Sequence, residues 1–286
     1  MDYYFSIAGI TLCVKMSQGE LHDITRLLDK YKASPCQADK TLEFRCVDVI
    51  SEPIGECVFR DAGKIVFADG EREVRYIGAV ANGPMNAWMR IDRQGDHSFV
   101  EIKSTSIPNG ISSKTVANAM EAEHIIVEDG GILLHASYIS TDDGAILFTA
   151  PSGVGKSTQA RLWCELRGAK LMNGDRAAVK YENESVFAYG IPFSGSSGVS
   201  ENETMPVRAI VYLSQAPVTQ ITRLTGVRAF RRVWEGCSVN SWNRTDVEKC
   251  ASTVGAIVSA VPIFHLSCTP DESAILALEE QLGKGN

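Results

Sequence analysis

The residues best placed to do chemistry stand in one run, Ala150-Pro-Ser-Gly-Val-Gly-Lys-Ser-Thr158. Gly153 and Gly155 allow successive backbone N–H groups to turn inward on an anion, Lys156 can reach terminal phosphates, and the Ser157 hydroxyl is placed to ligate magnesium. Ser152, Val154 and Thr158 complete the cradle through their backbone and hydroxyl groups, and the partial positive charge of a following helix N-terminus adds to it. Loops of this kind usually open on glycine where this chain has Ala150; a negative φ there would absorb the change. Downstream, Asn173-Gly-Asp-Arg176 puts Asp175 where a second magnesium ligand is expected after such a loop. Arg176 beside it is either a cation for developing phosphoryl charge or the ion-pair partner of a nearby carboxylate. The ligands implied are ATP and Mg2+.

The elements that must position these residues follow from periodicity. Ala145 to Thr149 is an apolar strand entering the loop, and Gln159 to Arg167 is a helix leaving it, with Gly168 as its stop. Lys114 to Glu123 reads as a helix; Ile125 to Val127 and Ile132 to Ile139 read as strands, the second carrying Leu134-His-Ala-Ser137. Lys170 to Met172 is a short strand, Ala177 to Tyr181 and Val186 to Tyr189 form a hairpin, and Val207 to Leu213 and Ile263 to Ser267 are further strands. Gly226 to Gly236 reads as a helix whose Arg228, Arg231 and Arg232 form a solvated face, with a phosphate or adenine role as the alternative. Thr245 with Glu248 caps the next helix, and Thr269-Pro-Asp-Glu272 starts the last. Ser194 to Gly198 is either an acceptor-binding loop or a plain connection.

Residues 1–110 read as a β-rich region. Tyr3 to Met16 is apolar; Ser17 and Glu20 box a helix with Leu21, Ile24, Leu27, Leu28 and Tyr31 on one face; and six short strands from Thr41 to Ser104 suggest an antiparallel meander. Trp88 and Phe99 are expected as core or cross-strand partners. The stretch Ser104 to Ser113, with Pro108 and Gly110, marks the boundary to residues 111–286.

A chain of 286 residues, 44% apolar and 22% charged, has room for one large or two small domains. Its net charge of −7, without a basic run, argues against nucleic acid. The start Met1-Asp-Tyr-Tyr-Phe5 lacks a basic lead with a long apolar stretch, and no run reaches membrane-spanning length, so a cytoplasmic protein without a membrane partner is expected. The eight cysteines contain no Cys-x-x-Cys pair, which indicates neither a zinc site nor a disulfide framework; most are expected as buried thiols. A homo-oligomeric state is left open.

Leu134-His-Ala-Ser137, Ser152-Gly-Val-Gly-Lys-Ser157, Asn173-Gly-Asp-Arg176 and Tyr189-Gly-Ile-Pro-Phe193, at these spacings, resemble the catalytic domain of HPr kinase/phosphorylase and, more distantly, the nucleotide half of phosphoenolpyruvate carboxykinase. The resemblance covers about residues 125 to 286. It implies an α/β (α+β) fold with a mixed, bent sheet and a phosphate loop, and an ATP-dependent kinase acting on a hydroxyl of a peptide, protein or small molecule. It does not extend to the first half, and the HPr substrate is not carried over. Two departures stand out: Gly174 occupies the place of the family's catalytic carboxylate, and Phe193 that of a tryptophan common in related proteins. With Gly174 there, the resemblance and the chemistry of imidazole point to His135 as the group that takes the acceptor's proton. The alternatives are a nucleotide-binding regulator or peptide-binding accessory protein with reduced catalysis and, lowest in order, a carboxykinase-type enzyme on a small keto acid.

Overall fold

The computed structural model describes residues 1–16, 28–78, 83–106 and 113–283. Contacts divide the chain into Met1–Glu121 and Ala122–Asn286. The boundary expected at 110/111 falls among residues outside those described, and the helix α1 (Ser113–Ala119) clusters with the first unit.

The first unit is an eight-stranded sheet built from β1 (Asp2–Ile7), β2 (Ile10–Lys15), β3 (Lys40–Val47), β4 (Glu56–Arg60), β5 (Lys64–Asp69), β6 (Arg72–Ile77), β7 (Met89–Gln94) and β8 (His97–Lys103), in the order β1-β2-β3-β8-β7-β6-β5-β4. The apolar run after Met1 is two strands, because Ala8 and Gly9 both hold positive φ, at 52° and 83°, and close a tight hairpin. The expected meander covers β4 to β8 only. β3 lies parallel to both β2 and β8 between them, so the sheet is mixed. The helix expected from Ser17 falls largely on residues outside those described; Leu28 and Tyr31 at its end are fully buried, Tyr31 in a 3-10 turn. Trp88 precedes β7 and packs so closely on Gly78 that a Cβ there would stand 2.4 Å from its ring. Phe99 lies on β8, under the Arg45 guanidinium and against His97. The sheet also buries charge: Arg75 Nε pairs with Glu73 at 2.6 Å and with Glu121 at 2.5 Å.

The second unit contains α2 (Ala122–Glu128), β9 (Gly131–Thr141), β10 (Gly144–Thr149), α3 (Lys156–Arg167), β11 (Lys170–Asn173), β12 (Arg176–Glu182), β13 (Ser185–Gly190), β14 (Thr204–Gln215), β15 (Gln220–Leu224), α4 (Gly226–Trp234), β16 (Cys237–Ser238), α5 (Arg244–Ala260), β17 (Ile263–Cys268) and α6 (Glu272–Gly283). The strands run β10-β9-β12-β13-β14-β17-β15, and β10 also pairs with β14, so the pairings from β9 round to β10 close on themselves. β10, β14 and β17 are parallel and the rest antiparallel, a mixed α/β arrangement. One face buries Phe148, Val211 and Leu266 under α3 and α6; the other buries Leu134, Leu147, Val179 and Ile210 against α4 and α5.

Ile125 to Val127, expected as a strand, is helical in α2. The β-branched run is overridden because His124 is buried there, with Nδ1 3.0 and 3.1 Å from the two Asp246 carboxylate oxygens on α5. The cap of α5 is Asn243, whose side chain accepts from Asp246 N, rather than Thr245. The last helix starts at Glu272, with Asp271 accepting from Ser273 N and Pro270 lying before it. Cys13, Cys250 and Cys268 are the buried cysteines; Cys36 and Cys57 are exposed, the latter on the edge strand β4.

Candidate functional site

Strand β10 ends at Thr149 and the chain turns through Ala150–Gly155 into α3, with Gly153 at φ 80° and Gly155 at φ 125°. Only glycine holds such angles without strain. Ala150 is not among the left-handed residues and is buried, so the alanine fits the loop. Ser152 and Ser157 are exposed, and Val154 and Thr158 half-buried. Lys156 is only 8% exposed; its Nζ folds back to donate to the carbonyls of Ala150 at 3.0 Å and Pro151 at 3.4 Å. Burial lowers its pKa, and Asp175 works against that shift.

Three further predicted residues meet at the junction of β9 and β12, where Arg176 pairs with His135 across the ladder. Asp175 Oδ1 lies 3.6 Å from His135 Nε2, and Oδ2 lies 3.3 Å from Arg176 Nε. Burial lowers the His135 pKa most, Lys156 and Arg176 add to this, and Asp175 opposes it, which leaves the imidazole neutral at neutral pH. The Arg176 guanidinium also lies over the Phe193 ring, 5.7 Å from its centroid.

The group that shapes this junction escaped the sequence reading. Asn173 is fully buried; its Oδ1 accepts from the backbone N–H of both Asp175 and Arg176, at 2.9 and 3.0 Å, while its Nδ2 donates to Ile191 O at 2.8 Å. One amide thus fixes the Asn173-Gly-Asp-Arg turn against the 190s loop. Asn173 followed by Gly174 is a turn signal that could have revealed it, because an Asn side chain readily accepts from the backbone N–H two residues on. His135 is fixed likewise: its N–H donates to Gly236 O, and Thr149 Oγ1 donates to its carbonyl.

Gly174 is in tight contact. A Cβ built there would stand 2.3 Å from Ser197 Oγ and 2.5 Å from Ser197 Cβ, and one on Gly195 would stand 2.8 Å from Asp175 Cβ. The Ser194–Gly198 loop therefore packs onto the Gly174-Asp175 backbone, and the place of a carboxylate side chain is filled. Of the arginines on α4, Arg231 pairs with Glu235 and is exposed, whereas Arg232 also pairs with Glu235 but lies over Tyr212, 4.3 Å from the ring centroid.

A cavity of about 600 Å³ opens beside the glycine-rich loop, lined by Gly153, Gly155, Thr158 and Gln159 on one side and by the ends of β14 and β17 on the other. Nothing in residue spacing announced it, because its walls come from segments more than fifty residues apart in the chain.

No family model and no curated protein matches the chain. Among solved structures, the HPr(Ser) kinase/phosphatase from Coxiella burnetii matches 54% of this chain and 99% of its own, at 15% identity and a TM-score of 0.32. A match this loose carries no weight for function, and the site rests on its own geometry. No described helix is long and apolar enough to cross a membrane.

Proposed function

We propose that the second unit binds ATP at the glycine-rich loop and transfers its γ-phosphate to a hydroxyl of a peptide, a protein or a small molecule. The observation that carries this reading is Lys156, buried at the head of α3 with its ammonium held by two loop carbonyls, beside the Asp175–His135–Arg176 group. Backbone N–H groups from Ser152 to Thr158 cradle the phosphates, and Lys156 leaves its carbonyl partners to meet the terminal ones.

Asp175 and Ser157 suit magnesium. The Asp175 oxygens lie 3.3 Å from the Arg176 guanidinium and 3.6 Å from the neutral His135 ring, and Ser157 is exposed at the helix start. Bound there, the ion would neutralise charge on the phosphate oxygens. Arg176 adds positive charge at the transferring group, and neutral His135 takes the acceptor's proton through Nε2. A loose transition state asks little of a base, so His135→Asn costs about tenfold to a hundredfold in turnover.

A second reading, a nucleotide-binding regulator with reduced catalysis, is favoured by one observation: Ser197 occupies the space beside Gly174 that a carboxylate would need. Incubation with γ-labelled ATP, magnesium and a hydroxyl-bearing peptide mixture separates the two. Labelled acceptor, lost in Asp175→Asn, supports the kinase; tight binding without transfer or hydrolysis supports the regulator.

A further inference from the structure

We propose that the cavity beside the glycine-rich loop is a nucleobase pocket selective for adenine, with Gln159 as the residue that reads the base. This rests on the proposed binding of a nucleoside triphosphate at the loop. The strands β10, β14 and β17 are parallel, with Thr149 opposite Tyr212 and Tyr212 opposite His265, so their C-terminal ends open at one edge of the sheet. Ligands of parallel sheets lie at that edge. A triphosphate cradled over Gly153 to Thr158 must send its nucleoside away from the loop, and the cavity shares Gly153, Gly155 and Thr158 with the cradle. Its volume of about 600 Å³ lies within the range of small-ligand pockets.

The walls fit a flat heterocycle with one polar edge. Leu213, Pro217 and Pro270 supply apolar surface. Gln215 Nε2 donates to Val154 O at 3.4 Å, joining the end of β14 to the loop. Gln159, 2% exposed, sits on the first turn of α3; its Nε2 donates to Cys268 Sγ at 3.3 Å, and its Oε1 has no hydrogen-bond partner among the described residues. A buried carbonyl oxygen without a donor is costly. The exocyclic amino group of adenine is such a donor. Guanine presents two adjacent donors that match a carboxylate, and none of the described residues lining the cavity is acidic. Burial raises the Cys268 pKa and keeps its thiol neutral, so the pocket carries no charge of its own at that wall.

The test is isothermal titration, with magnesium, of tripolyphosphate, ATP, GTP and inosine triphosphate, the last carrying a carbonyl where adenine carries its amino group. Wild type should bind ATP at least tenfold more tightly than GTP or inosine triphosphate. Gln159→Leu should bring ATP to within about twofold of inosine triphosphate while tripolyphosphate affinity stays unchanged. Should that variant fail to fold, Ala216→Trp fills the cavity from its wall; it should weaken ATP at least tenfold and spare tripolyphosphate. Equal affinities for the three nucleotides in wild type, a preference for GTP, or an unaffected ATP affinity in Ala216→Trp would each overturn the pocket, while tripolyphosphate binding would leave the loop assignment standing. No binding of any probe, tripolyphosphate included, would overturn both.

Discussion

Replacing Gly174 by alanine adds one methyl group at a confined point of the site. That methyl would lie 2.5 Å from Ser197 Cβ and 2.3 Å from Ser197 Oγ, well inside contact distance. Ser197 Oγ cannot simply swing away, because it donates to Ser194 O at 2.6 Å and accepts from Val199 N at 3.2 Å. The loop must therefore shift, and overpacking of this kind costs about 1–3 kcal/mol. For a unit of this size 1 kcal/mol moves Tm by about 2–4 °C, so a fall of roughly 2–12 °C is expected by differential scanning calorimetry. Ser197→Gly in the same background removes both opposing atoms and should restore at least half of the loss, a coupling that two independent sites would not show. The same contact predicts that Gly174→Asp alone does not gain turnover, since its carboxylate has no room until Ser197 is removed. An unchanged Tm in Gly174→Ala, or additive effects in the double variant, would refute the packing argument.

Other consequences follow from the same geometry. Asn173→Ala leaves the N–H groups of Asp175 and Arg176 without their acceptor; it should destabilise by about 1–3 kcal/mol in urea melts and lower turnover more than ATP affinity, and an intact turnover would remove Asn173 from its positioning role. Asp175→Asn should reduce turnover far more than nucleotide affinity, because a metal-ligating carboxylate acts mainly on charge that develops during transfer; equal small losses would make it structural. His265, which makes a hydrogen bond with Ser214 Oγ at 2.8 Å, has its pKa lowered by burial and then by Arg232. A depressed folded pKa means the unfolded chain takes up the proton first, so this contribution is complete above about pH 6.5 and is lost as pH falls through the folded value. Melts from pH 7.5 to 5 should show a smaller decline in His265→Asn than in wild type, and identical slopes would contradict the assignment.

What was legible in the sequence was local. The Gly153-x-Gly155 spacing, the apolar run before it and the amphipathic run after it define strand, loop and helix without help from the rest of the chain, and Gly168 ends that helix with an αL cap at φ 66°. The hairpin through Asn183 and Glu184 was equally plain, with both residues at positive φ. What depended on partners distant in sequence was not. Ile125 to Val127 reads as a strand until His124 finds Asp246, 122 residues away. The insertion of β3 between β2 and β8 is a matter of pairing, which strand periodicity does not specify. β15, with few strongly apolar residues and an edge position, gave no periodic signal at all. At the site, Lys156, Asp175 and Arg176 could be named from type and spacing and His135 from the resemblance, whereas the bond from Asn173 to Ile191, the Ser197 contact and the cavity exist only once separate loops are brought together.

On this reading Lys156 is a phosphate ligand, held in reserve by the Ala150 and Pro151 carbonyls. Titration of magnesium-ATP into wild type and Lys156→Ala tests it most directly. Wild type should bind and the alanine variant, shown folded by its circular dichroism, should lose measurable affinity; equal affinity in the two proteins would contradict the account.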